Sequence, residues 1–449
     1  MKQFLFVLGK NYLLSLCEIS HLLQFAPYKG KIIDYSKQIG IIEFEEIIKP
    51  ELLLKLQNRL GGIQKIGEII DDYQKEIFIE GFPIQKHPKK FKKARKSIEN
   101  DIIPKILPQI FLNVQNKKIM FAISVYPHLF SRPELSIGHL IQFLNEFIKE
   151  HLVKDSNSVK YFRYPGELLE SKNLNPIWPH HVLIYSLLEF PNAEIIWGFT
   201  KDRCYIARTI AVDNPNLRKI IDEHRPKTQF EISMPPKLAK ILINLLNLPK
   251  NGILLDPFCG TGTILMMAAL QDINFYGTDI DNDQIEATTN NLNWLKREFD
   301  LDYQIDAKKV FTLDSMKLDS YFKENSIDGI ATEPYLGPPL KSPLLRTEYQ
   351  KIIDDEIKPL YEKSLHSMKK ILKMNGNIAI ISPVYKEIDN KLVDFNFSKI
   401  AKEIGLKIVK LMPLSRFSIQ KEIKYNKNSL FIRKDQYVMR KINLFQKIE

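Results

Sequence analysis

Leu254-Leu255-Asp256-Pro257-Phe258-Cys259-Gly260-Thr261-Gly262-Thr263 is the stretch on which the fold of this 449-residue chain turns. A short apolar run leads to a carboxylate, then to two closely spaced glycines, then to an apolar helical pattern. That order reads as strand end, tight loop and helix start. Glycines let a backbone approach a ligand closely, and a helix N-terminus offers unpaired N–H groups. Open parallel sheets bind ligands in the crevice outside the carboxyl ends of their strands. The spacing is neither GxGxxG nor GxxxxGKS, the two patterns that seat phosphates.

Working outward, strands alternate with helices from about residue 231, which predicts an α/β domain with a doubly wound, Rossmann-like sheet. Strands are expected at Ile253–Leu255, Asn274–Thr278, Lys309–Leu313, Ser326–Thr332 and Gly376–Ser382. Helices are expected at Thr263–Leu270, Asp283–Lys296 and Leu344–Met374, with late strands at Lys407–Met412 and Ser429–Lys434. Acids recur where these strands end. Asp279 closes the second and is placed to accept both hydroxyls of a ribose, while Asp281 suits a helix cap. Asp314, followed by Ser315, closes the third and is placed to meet an adenine amino group. A pyrophosphate would be repelled by Asp256, whereas a ligand carrying an amine and a sulfonium would be drawn to it. The expected cofactor is therefore S-adenosyl-L-methionine, bound by Asp256, Phe258, Gly260, Thr261, Gly262, Asp279, Ile280, Asp314 and Ser315.

The fourth strand runs into Thr332-Glu333-Pro334-Tyr335-Leu336-Gly337-Pro338. An exocyclic base amine is a poor nucleophile because its lone pair is delocalised into the ring. It needs a carboxylate and rigidly held carbonyls to bind its protons, and an aromatic ring can stack on an extruded base. Glu333, Pro334 and Tyr335 are the expected catalytic residues. Cys259 sits in the cofactor loop rather than beside this motif and reads as a packing residue.

The chain carries 65 Lys+Arg against 53 Asp+Glu, a formal +12. Its basic centre is Lys86-His87-Pro88-Lys89-Lys90-Phe91-Lys92-Lys93-Ala94-Arg95-Lys96. Lys86, Lys89, Lys90, Lys92, Lys93, Arg95 and Lys96 are candidate contacts to nucleic-acid phosphates, since each cation that displaces a counterion strengthens binding. Cys17, Cys204 and Cys259 form no CxxC pair, so neither a disulfide framework nor a cysteine metal site is expected. The opening residues reach Lys10 too early for a secretory core, and no apolar run reaches membrane-helix length, so a cytoplasmic protein without membrane contact is expected.

The front of the chain reads βαββαβ: Gln3–Leu8, Tyr12–Phe25, Lys31–Tyr35, Gly40–Phe44, Pro50–Leu60 and Ile63–Ile70. That order predicts a ferredoxin-like domain over 1–74. A second α/β region over 75–209 contains a strand at Asn116–Tyr126, a helix at Ser136–His151 and a hairpin at Glu194–Phe199 and Arg203–Thr209. Residues 210–230 read as a linker, and 231–449 as the catalytic domain.

Asp256-Pro257-Phe258-Cys259-Gly260-Thr261-Gly262 together with Glu333-Pro334-Tyr335 resembles the THUMP-domain class I methyltransferases, especially the tRNA guanine-N2 methyltransferases acting at nucleotide ten. Arg225-Pro226, the run Ser233-Met234-Pro235-Pro236, Cys204 to Thr209, and Phe6 to Ile19 are similar to further parts of that family. The resemblance implies a THUMP-like RNA-binding domain at 75–209, methylation of guanosine N2, and tRNA or other structured RNA as partner. A small activator subunit is a further partner to which the residues themselves do not speak. The chain departs from the family at Glu333, where Asp or Asn is usual, and in having a single proline before Tyr335. Three other readings stand beside this one: a DNA adenine-N6 methyltransferase, a catalytically degenerate RNA-binding protein, and an oxidoreductase.

Overall fold

The computed structural model describes residues 2–84, 88–127, 134–154, 156, 158–163, 177–227, 234–301, 306–340, 342–418, 430–431 and 437–448. Alternating apolar residues in the first half of the chain build one mixed sheet. Its strands are β1 (Gln3–Leu8), β2 (Gly30–Tyr35), β3 (Ile39–Phe44), β4 (Ile63–Gln74), β5 (Lys118–Tyr126), β6 (Ser158–Tyr161), β7 (Ala193–Phe199) and β8 (Arg203–Val212). They lie in the order β2-β3-β1-β4-β8-β7-β5-β6. The long antiparallel pairing of β4 with β8, from Lys65 opposite Val212 to Gln74 opposite Arg203, makes the sheet continuous across residue 74. At its centre Lys65 donates to Glu194 and to the Ile177 carbonyl, with both charged side chains wholly buried. Glu194 also accepts from the hydroxyls of Ser124 and Thr209. Burial pushes the Lys65 ammonium below its ordinary value, while Glu194 works against that shift.

The second sheet contains β9 (Ile253–Asp256), β10 (Asn274–Asp279), β11 (Val310–Thr312), β12 (Ile327–Thr332), β13 (Leu372–Lys386), β14 (Leu392–Asp394), β15 (Leu406–Ile408), β16 (Leu430–Phe431) and β17 (Val438–Lys447). The main path is β11-β10-β9-β12-β13-β17-β15. β9 to β13 run parallel, and β17 lies antiparallel to both β13 and β15. The strand order reverses on either side of β9, so the ends of β9, β10 and β12 open the crevice that a doubly wound sheet offers to ligands. This is a Rossmann-like, doubly wound arrangement. No helix among the described residues is long and apolar enough to cross a membrane.

The two sheets are joined through helix Tyr12–Leu22. Its buried Glu18 accepts from the Gly61 and Gly62 amides at 2.8 and 2.7 Å and from Asn244 at 2.7 Å. Asn244 lies on helix Pro236–Leu245, which leads into β9, and it also accepts from Arg59 at 2.7 Å. A Cβ at Gly61 would stand 2.1 Å from the Lys237 carbonyl oxygen, so only glycine permits this approach.

Several elements differ from expectation. The 210–230 segment contains helix Pro215–Glu223, whose Asn214 caps the Asn216 amide. The helix expected at Leu344–Met374 is Arg346–Ile352, a π turn at Ile353–Ile357, and Lys358–Ile371. Pro359 explains the slip: it has no N–H and its ring crowds the carbonyl four residues back. β13 starts at Leu372, directly after that helix. β17 lies where no strand was expected.

The buried pair yields a prediction. Lys65→Met should destabilise the protein by about 3–5 kcal/mol, because Glu194 would stay buried without its cation. Chemical denaturation of the variant against the parent measures this.

Candidate active site

Asp256 ends β9 with its side chain wholly buried. Its Oδ1 accepts from the Thr332 hydroxyl at 2.7 Å and from the Phe258 amide at 3.3 Å. Burial pushes its carboxyl up to about 7, and the charges of Asp279 and Glu333 push the same way. Asp279 ends β10. Its Oδ2 accepts from the Gly260 amide at 2.9 Å and its Oδ1 from the Asp281 amide at 3.1 Å. Burial raises this carboxyl above its ordinary value as well. Asp281, as expected, caps helix Asn282–Glu298.

The glycine loop between these acids is held from the outside. Thr288 donates to the Gly260 carbonyl, and Asn291 donates to the Thr261 carbonyl at 2.8 Å. Asn291 also grips the backbone of Lys227 on both its N–H and its C=O side. The buried Arg225 donates to Thr263 at 2.9 Å, so the connecting segment is latched to the start of helix Thr263–Ala269. Gly260 and Gly262 have φ of +49° and +82°. A Cβ at Gly260 would meet nothing within 4 Å, which marks open space over the loop, whereas one at Gly262 would press on Thr288 at 2.8 Å. Cys259 is buried and its thiol is raised well above the ordinary value by that burial, as suits a packing residue.

The remaining residues divide. Phe258 is half-buried and Ile280 is 69% exposed at the rim. Asp314 accepts from the Met316 amide at 2.9 Å and starts a 3-10 turn. Ser315 is buried with its hydroxyl 2.8 Å from that of Ser364, so this hydroxyl serves the packing of helix Lys358–Ile371. After β12, Pro334 is buried and Tyr335 is 44% exposed, its hydroxyl donating to Glu356 at 3.1 Å. Tyr361 and Tyr385 hold the backbone here: their hydroxyls lie 3.2 Å from the Tyr335 carbonyl and 2.8 Å from the Leu336 carbonyl.

Glu333 is not a free carboxylate. Arg440 on β17 donates its Nε to Oε2 at 2.7 Å and its Nη2 to Oε1 at 2.9 Å. The side chains are 5% and 13% exposed for Arg440 and Glu333. Sequence reading missed Arg440, because β17 carries buried Arg440, Asn443 and Lys447 among its apolar residues and so lacks the pattern of a core strand.

On the basic stretch, Lys92, Lys93 and Lys96 are exposed on helix Pro88–Ser97. Arg95 is half-buried and packs inward. Its guanidinium lies 4.7, 4.4 and 5.4 Å from the ring centres of Phe82, Phe91 and Phe143, and its Nε donates to the Gly81 carbonyl. It clamps the helix to the body of the protein. Lys86 lies outside the described residues, as do the side chains of Lys89 and Lys90.

A family model described as DNA methylase matches residues 43–290, more than half of the chain. The chain belongs to this methylase family. A second model, the RMKL-like methyltransferase domain, matches residues 225–406. The first range takes in the glycine loop and Asp279, the second also takes in Glu333, and Arg440 lies beyond both. Among curated relatives, the tRNA (guanine(10)-N2)-dimethyltransferase of Pyrococcus abyssi is 30% identical over 40% of this chain and 44% of its own length. That of Methanothermobacter thermautotrophicus is 29% identical over 47% of this chain and 56% of its own length. The chain thus spans about half the length of these two relatives. The Methanocaldococcus jannaschii enzyme of the same name is 26% identical over 78% of this chain and 92% of its own length.

The loop geometry sets an order of tolerance. Gly260→Ala should cost about 1–2 kcal/mol, the strain of a left-handed residue alone. Gly262→Ala should cost more, because the Thr288 contact adds to the same strain. Thermal unfolding of the two variants tests the ranking.

Proposed function

We propose that this protein transfers a methyl group from S-adenosyl-L-methionine to the exocyclic N2 of a guanosine in tRNA. The observation that carries the reading is the buried Asp256 carboxylate beneath an open glycine loop. Its protein partners are a hydroxyl and an amide, its neighbours include two further acids, and Gly260 leaves the space above clear. That donor set fits a cationic ligand and is hostile to a pyrophosphate. The match to methyltransferase relatives of stated tRNA guanine-N2 activity supports the same conclusion.

S-adenosyl-L-methionine supplies an activated methyl on its sulfonium. The residues of this chain do the rest. Asp256 and Asp279 attract the positive end and the ribose hydroxyls, with Phe258, Thr261 and Gly262 shaping the loop between them. Ile280 provides an apolar rim, and the Asp314–Ser315 backbone borders the adenine. Tyr335 offers an exposed ring for a base that has left its stack, and Glu333 accepts a hydrogen bond from the target amine. The tyrosines that hold the loop backbone keep this arrangement preorganised, which is where most of the rate gain in such a site arises. Lys92, Lys93 and Lys96, with Lys86, Lys89 and Lys90 near them in sequence, contact RNA phosphates, and the N-terminal sheet holds the tRNA by shape. Residues 75–209 act as the THUMP-like RNA-binding region, in a cytoplasmic protein.

The DNA methylase description of the matched family favours one second reading, adenine N6 in DNA. Labelled S-adenosyl-L-methionine given in parallel to bulk tRNA and to duplex DNA, followed by digestion to nucleosides, separates the two. Label is expected in N2-methylated guanosine; label confined to N6-methyladenine would overturn the proposal.

Asp256 also sets a pH dependence. Below about 7 its carboxyl is protonated and offers no charge to a cationic ligand; above that it is ionised. Calorimetric affinity for S-adenosyl-L-methionine should rise by up to about tenfold per pH unit toward that value and then level. Asp256→Asn should bind weakly and lose this dependence. For the basic helix, replacing Lys92, Lys93 and Lys96 together by Gln should weaken tRNA binding and lower the slope of log affinity against log salt by about 2–3. An unchanged slope would remove that face from the interface.

A further inference from the structure

We propose that Arg440 is a positioning residue for the methyl-accepting amine, acting through its paired hydrogen bonds to Glu333. The inference rests on the methyltransferase reading above and deepens it.

A carboxylate offers about four lone-pair sites, and a guanidinium fork takes one on each oxygen. Arg440 does this with Nε on Oε2 and Nη2 on Oε1, in a nearly buried setting. The two sites left over point to the sides of the carboxylate. Each can take one N–H, so Glu333 presents separate lateral acceptors rather than a forked edge. A glutamate has one more rotatable bond than the aspartate usual in related motifs, and a shift of about 1 Å in an acceptor is costly in a positioned site. The fork removes that freedom. It also neutralises one of three acids gathered at these strand ends, which a ligand cation at Asp256 alone could not do.

The scaffold explains why the clamp is rigid. Arg440 stands opposite Pro383 in the β13–β17 ladder, and Tyr385, two residues on in β13, holds the Leu336 carbonyl. Glu333 follows Thr332, which is bonded to Asp256. Acceptor, clamp and cofactor acid therefore belong to one hydrogen-bonded unit spanning β9, β12, β13 and β17.

The test uses the full chain with Arg440→Lys, which keeps the charge and loses the fork, alongside Glu333→Gln. For Arg440→Lys we expect melting temperature and calorimetric affinity for S-adenosyl-L-methionine close to the parent, KM for tRNA little changed, and kcat lowered by about tenfold or more. Should that variant fail to fold, Glu333→Gln/Arg440→Gln, which replaces the ion pair by two neutral amides, takes its place. Its kcat should fall no further than that of Glu333→Gln alone, as for residues acting as a unit. A parent-like kcat in Arg440→Lys, a loss of cofactor affinity that parallels the loss of rate, or multiplicative losses in the double variant would each overturn the proposal. A parent protein that methylates no RNA would instead defeat the underlying functional reading.

Discussion

A carboxylate placed out of water at the end of β9 is the constraint from which the site follows. Asp256 cannot hold a charge there without partners, and its hydrogen bonds to Thr332 and Phe258 join two neighbouring strand ends to the glycine loop. Asp279 and Glu333 add negative charge to the same region. Three acids gathered at one crevice call for positive charge. The protein supplies part of it through Arg440. The remaining acids, Asp256 and Asp279, carry carboxyls raised above their ordinary values by burial.

The N-terminal half solves a different problem with similar means. The Lys65–Glu194 pair is surrounded by Ser124, Thr209 and the Ile177 carbonyl, so the charges are satisfied at the centre of a sheet. Such a network adds little net stability over apolar packing, because each ion has lost its hydration, but removing one partner strands the other charge. At the seam between the sheets, Glu18, Arg59 and Asn244 form another satisfied network. It seats the N-terminal sheet against the helix that feeds β9, and so relates the candidate RNA-holding surface to the crevice.

The acids of the crevice were legible because each stands at the end of a local strand pattern, where a parallel sheet must present it. Arg440 was not, since a cation inside a strand reads as exposed until the partner strand is known. Arg95 shows a related limit: in a run of lysines it reads as a phosphate contact, and only the folded chain shows its guanidinium against Phe82 and Phe143 as well as Phe91 of its own helix. The helix inside the 210–230 segment has a nearer reason: Asn214 caps it and Pro215 opens its first turn, where a missing N–H leaves no hydrogen bond unmade.

By itself the sequence determined the sheet order's parallel character, the loop that would approach a ligand, and the chemical sign of the groups around it. These depend on short-range periodicity and on residue types at strand ends, both of which act within a few positions. Only the tertiary structure decided that β4 would join β8 into one sheet, that β17 would lie beside β13, and that Glu333 would meet a guanidinium more than a hundred residues away. Strands far apart in sequence find their partners by burial and register over the whole molecule, and no local pattern carries that choice.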